Sequence, residues 1–260
     1  MARRLERAEA LSNARFVEAR ASVTPASAAC WIEAAGAHAM FDGPSSPATQ
    51  TFGLGMFQAP AAADLDRIEA FFTERGAPIF HEVSPLADAG VVPLLTSRGY
   101  HPLEFTSVLY QPIDAAGLNA RPAPGIAVRQ VGPDDAEVYA RTSAGGWSES
   151  GFGDFVLEMA RVTLASRGSA LFLAELDGAP IATAALNLVD GVAHFAGAST
   201  IPAGRNRGAQ LALLDHRLRY AAAHGCDIAL MGALPGSGSQ RNAERNGFRI
   251  AYTRIKWSRT

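Results

Sequence analysis

The chain has little cysteine. Cys30 and Cys226 stand far apart in 260 residues, which excludes a disulfide framework and fits a reducing compartment. Those two cysteines and six histidines show no metal-ligand spacing, so no metal is expected. Charge of one sign is also lacking. Lys and Arg number 23 against 25 Asp and Glu, a net charge of −2, which argues against nucleic acid as a partner. No apolar run reaches the length of a membrane span, and the opening MARRLERAEALSNARF mixes charges where a secretory leader would be apolar. A cytoplasmic protein without a membrane partner is expected.

A hydrophobic content of 48% with 18% charge marks a chain able to bury a core. Its length suits one large domain or two of about 125 residues. Residues 2–18 read as a helix. Ala29–Phe41 reads as one or two strands, and Thr51–Gln58 as another. A helix over Asp64–Arg75 buries Leu65, Ile68 and Phe72, with Gly76 as its stop. Strand, helix and strand follow at 78–83, 88–98 and 103–110. The segment GLNARPAPG at 117–125 breaks both periodicities and reads as a linker between domains 1–116 and 126–260. Beyond it come a strand at 126–131, helices near 134 and 155–166, and a hairpin across Asp177-Gly178. A strand at 227–231, a helix at 239–246 and a last strand at 249–257 complete an α/β chain.

The most telling stretch is GASTIPAGRNRGAQLALL, Gly197–Leu214. It reads as a strand end, a loop and the first turns of a helix whose buried face carries Leu211, Leu214 and Leu218. A helix N-terminus has unpaired N–H groups and partial positive charge. Arg205, Asn206, Arg207, Gly208, Ala209 and Gln210 at that terminus make an anion cradle, a site for a pyrophosphate. Gly208 allows close backbone approach, and the guanidiniums fork onto phosphate oxygens. Two other motifs fail. Ile201 replaces the second glycine of a nucleophile elbow after Gly197-Ala198-Ser199, and the loop Gly232–Gly238 has no P-loop lysine.

The halves also repeat. At an offset of about 149 residues, Glu74–Phe80 lies over Ala223–Ala229. Ser97-Arg98-Gly99-Tyr100 lies, one residue out of register, over Arg245-Asn246-Gly247-Phe248. The counterpart of the cradle is Met56–Ala61, without a basic residue or a glycine.

Arg205-x-x-Gly208-x-Gln210 between a strand and a helix resembles the acyl-CoA-binding motif R/Q-x-x-G-x-G/A of the GNAT acetyltransferases, with Gln210 standing where Gly or Ala is usual. Ser239–Phe248 resembles the family's second motif, a helix ending in Gly-Phe, with Ala243 in place of its frequent tyrosine. The resemblance implies two tandem GNAT domains with a mixed sheet, the N-terminal copy degenerate, and acetyl-CoA as cosubstrate. It implies that Ala198, Ser199 and Thr200 hold the pantetheine arm where two strands splay, and that Ser239 and Asn242 contact the cofactor or serve the helix alone. With Ala243 at the usual acid position, Tyr252 is a candidate acid or a half-buried strand aromatic. His194 and Glu149 are candidate bases beside ordered water, and Trp147 is a candidate for substrate packing.

The implied function is acetyl transfer from acetyl-CoA to a small-molecule primary amine by direct attack on the thioester, in a monomer or homodimer. Two alternatives stay open: a non-catalytic acyl-CoA-binding module, and a protein or peptide N-acetyltransferase.

Overall fold

Helix α1 (Ala2–Val23) is built from strong helix formers and buries Leu5, Ala8, Ala10, Ala14 and Val17. The computed structural model describes residues 1–114 and 124–259, so most of the proposed linker, 117–123, lies outside the described residues. The chain divides into two compact units. One comprises residues 1–110 with 232–260, and the other residues 111–231. The last helix and strand therefore count with the N-terminal unit, whereas the sequence division assigns them to residues 126–260.

In the first unit, β1 (Cys30–Ala34) and β2 (Ala37–Phe41) form a hairpin over Ala35-Gly36, both left-handed. Strand β3 is confined to Gln50–Phe52, shorter than the expected Thr51–Gln58. Gly53 and Gly55 take φ of 81° and 73°, which turns the chain out of the sheet. Helix α2 (Ala62–Thr73) leads to β4 (Phe80–Val83), and α3 (Val91–Ser97) to β5 (His101–Pro112). Strand β11 (Arg249–Ser258) pairs antiparallel with both β4 and β5. That double pairing draws the C-terminus into this unit, in strand order β1-β2-β3-β4-β11-β5. Its core gathers Leu54, Leu65, Ile68, Phe72, Leu95 and Trp257, each such side chain contributing about 1.5–3 kcal/mol on burial.

The second unit runs β6 (Ile126–Gln130), α4 (Ala136–Gly145), α5 (Gly153–Ala165), β7 (Ser169–Leu176), β8 (Ala179–Val189) and β9 (Val192–Thr200). Helix α6 (Ala209–Ala223) and β10 (Ile228–Ala233) follow, in strand order β10-β9-β8-β7-β6. The β7–β8 turn is Asp177-Gly178, left-handed at both residues, as the dipeptide requires. Strands β9 and β10 are parallel with α6 between them, just as β3 and β4 are parallel with α2 between them. Helix α7 (Gly238–Arg245) precedes β11 as α3 precedes β5. The same order of elements thus occurs twice.

Candidate acyl-CoA site

The site grows from two irregularities at the end of β9. The parallel ladder with β10 holds Val192, Ala193 and His194 against Ile228, Ala229 and Leu230 and then ends, although β9 continues to Thr200. On the other edge, the register with β8 jumps between Ala185↔Ala196 and Thr183↔Ser199. Gly197 and Ala198 therefore oppose the single residue Ala184, which is a β-bulge. Gly197 carries it with φ 59°, and both bulge residues are exposed. The strand end thus offers backbone groups to a ligand.

The chain then turns through a short 3-10 helix, Pro202–Gly204, into the cradle. Asn206 (φ 61°) and Gly208 (φ 85°) are left-handed, and Gly208 is the N-cap of α6. Asn206, Arg207 and Gly208 are exposed, and Ala209 is buried beneath them. The first N–H groups of α6 face outward as a helix terminus leaves them. Gln210, which departs from the motif, turns its side chain out of the cradle. Its Nε2 donates to the Ser199 carbonyl and the Thr200 hydroxyl oxygen, both at 2.9 Å, and so ties α6 to the end of β9.

Opposite lies the loop after α4. Gly146 packs on β9 so closely that a Cβ there would stand 2.0 Å from Ser199 Oγ and 2.9 Å from Thr200 N and O. The Ser199 hydroxyl donates to the Ser143 carbonyl at 2.7 Å. Arg205 donates to Glu149 Oε2 at 2.6 Å and to the Gly146 carbonyl at 3.2 Å. Gly146, Trp147, Glu149, Ser150, Ala198, Ser199, Thr200 and Arg205 line a cavity of about 440 Å³. Trp147 is 45% exposed at its rim.

The structure therefore brings together Trp147, Glu149, Ala198, Ser199, Thr200, Arg205, Asn206, Arg207, Gly208, Ala209 and Gln210 within one unit. His194 belongs to this unit but is buried, inside the ladder between Leu230 and Asn187. Tyr252, Ser239 and Asn242 lie on β11 and α7 of the other unit. The Tyr252 hydroxyl donates to Glu6 at 2.7 Å, and burial together with that carboxylate pushes its pKa up. It sits in a buried cluster where Arg254 meets Glu9, Glu6 and Glu82. On α7, Ser237 rather than Ser239 caps the helix, accepting from Gln240 N–H. Asn242 accepts from Asn246 through its carbonyl at 2.7 Å.

Two residues of this region have no place in the sequence reading. Gly146 had a signal in the Gly145-Gly146 pair. Arg217 had one too, as a charged residue three places after Leu214 on the apolar stripe of α6. Its buried side chain donates to the Ala185 carbonyl at 3.1 Å.

Residues 137–248 match the profile of the acetyltransferase (GNAT) family. That segment, under half of the chain, is similar to the GNAT acetyltransferases. The match assigns it the general chemistry of an acetyltransferase, with acetyl-CoA as donor. The chain is similar in fold to a GCN5-related N-acetyltransferase from Kribbella flavida, at 20% identity and TM-score 0.65 over 95% of each chain. A tandem GNAT protein from the clavulanic acid biosynthesis pathway aligns at 14% identity and TM-score 0.61, over 85% of this chain and 77% of that one. A GCN5-related N-acetyltransferase from Sphaerobacter thermophilus aligns at 18% identity and TM-score 0.55, over 80% and 70%. At these identities the structural likeness shows the fold alone. No curated protein matches the chain significantly. Among the described residues, no helix is long and apolar enough to cross a membrane, and no group of His, Cys, Asp and Glu has a metal-binding arrangement.

Proposed function

We propose that the chain is an N-acetyltransferase that moves acetyl from acetyl-CoA to a primary amine of a small molecule. The observation that carries this reading is the open, bulged end of β9 running directly into the Gly208 cradle. The pyrophosphate takes the α6 N-terminus with Arg205 and Arg207. The pantetheine arm pairs with the free edge of Ala198–Thr200, which puts the thioester beside the bulge. The acceptor enters from the side of Trp147 and Glu149. Its amine nitrogen attacks the thioester carbon, the C=O pair moves to oxygen, and collapse expels the CoA thiolate. The nitrogen loses a proton and the thiolate gains one. Glu149, exposed at the cavity mouth, is placed to take the amine proton through water. His194 is buried in the ladder, away from the cavity lining.

The repeated element order supports the further reading of two tandem GNAT copies. In the N-terminal copy, Met56–Ala61 stands where the second copy has its cradle, so acyl-CoA binding belongs to the second copy. A non-catalytic acyl-CoA module is the second reading, favoured by buried Ala243 in the tyrosine's place. Thiol release from acetyl-CoA across a panel of primary amines separates them. The enzyme reading expects amine-dependent release. Tight acetyl-CoA binding with no release above hydrolysis for any amine, peptides included, leaves the module.

A further inference from the structure

Arg217 is 4% exposed, and among the described residues it pairs with no carboxylate. Its Nε donates to the Leu213 carbonyl at 3.3 Å and its NH1 to the Ala185 carbonyl at 3.1 Å. The guanidinium carbon lies 4.4 Å from the centroid of Phe195. Burial pulls its pKa down to about 10, and among the described residues the ionisable group acting on it is the Tyr139 phenol. Burial raises the pKa of that phenol, so it stays neutral. A buried, uncompensated guanidinium is costly, and a leucine of similar stem would pack there without that cost.

Its position supplies a reason. Ala185 is the β8 residue at which the β9 register breaks, and Phe195 is the first β9 residue beyond the ladder with β10. Tyr139 flanks the same point, its hydroxyl 3.6 Å from where a Cβ on Gly197 would stand. The charge thus sits at the root of the bulge and the splay. A full charge in a water-poor site acts strongly on charge that develops nearby.

We propose that Arg217 is a positioning residue for acetyl transfer: it clamps the Ala185 carbonyl to hold the β9 bulge in shape, and its positive charge favours the anionic thioester oxygen and the departing CoA thiolate. This rests on the acyl-CoA reading above. It gives the site a cationic group at the root of the bulge. No proton leaves the guanidinium; the thiolate is stabilised as an anion and is protonated from solvent.

The test compares wild type, Arg217→Leu and Arg217→Gln by acetyl-CoA affinity, amine-dependent thiol release, and ultraviolet thiolate absorbance of bound CoA titrated against pH. The expected result for Leu is acetyl-CoA affinity within about threefold of wild type and kcat down by about 10-fold to 100-fold. The bound thiol should also titrate about one pH unit higher. Gln, which keeps an N–H for the Ala185 carbonyl but carries no charge, should bind acetyl-CoA yet lose kcat and titrate the thiol as Leu does, and it carries the test if Leu does not fold. Unchanged kcat and thiol titration in Leu overturn the inference. So does a Gln variant that binds acetyl-CoA and keeps the wild-type kcat and thiol titration without the charge. Failure of the wild type to bind acetyl-CoA is a different result, which removes the acyl-CoA reading and this inference with it.

Discussion

Arg205 and Glu149 meet at 2.6 Å, so the first basic residue of the cradle is paired with a carboxylate of the facing loop. A pyrophosphate arriving at the α6 N-terminus competes with Glu149 for that guanidinium. Both side chains are largely exposed, and such pairs contribute about 0.2–1 kcal/mol. Glu149→Gln should therefore tighten acetyl-CoA binding by no more than about fivefold, while lowering amine-dependent turnover if Glu149 handles the amine proton. Calorimetry and initial rates on one preparation check both directions. Weaker acetyl-CoA binding by this variant would contradict the competition.

Gln210 replaces the small residue of the family motif and spends its amide on Ser199 and Thr200. Gln210→Ala restores the usual side-chain size while removing two hydrogen bonds worth about 0.5–1.5 kcal/mol each. The variant should unfold at lower denaturant and keep acetyl-CoA affinity, because the side chain lies outside the cradle. A large loss of affinity would mean that the tie holds the cradle itself in shape.

His81 sits fully buried on β4, its ring 4.9 Å from that of Tyr100. Neither ring nitrogen has a hydrogen-bond partner among the described residues. Burial lowers its pKa to about 3, and the charge of Arg259 acts the same way. Between pH 6.5 and about 3 the unfolded chain therefore binds the extra proton, and stability falls as pH falls, by about 1.4 kcal/mol per unit. Glu6 and Glu82, raised by burial, act in the opposite sense over their own range. The difference between wild type and His81→Leu isolates the histidine. Urea unfolding at several pH values should show the variant with the flatter acid limb; parallel limbs would refute a neutral buried imidazole.

Local chemistry makes much of this legible. Asp177-Gly178, Gly208 and the Leu211–Leu218 stripe each specify their own conformation, and the offset repeat exposes the recurring order of elements. What escapes depends on distant partners. Nothing in the period of Arg249–Trp257 says that the strand inserts between β4 and β5, since pairing is chosen by the sheet that receives it. Tyr252 reads as available because Glu6, its partner, lies at the other end of the sequence. Arg217 shows in the sequence only as a charge on the apolar stripe of α6; its place beneath the bulge is set by the distant strand β8.

The proposed function requires one acyl-CoA site, where β9 meets the N-terminus of α6. Calorimetric titration of acetyl-CoA into wild type and Gly208→Glu tests it most directly. Glutamate there brings a carboxylate to an anion site and strains a backbone held at φ 85°. One site per chain is expected in wild type and none in the variant, with the fold retained by circular dichroism. Two sites per chain, or undiminished binding by Gly208→Glu, would contradict it.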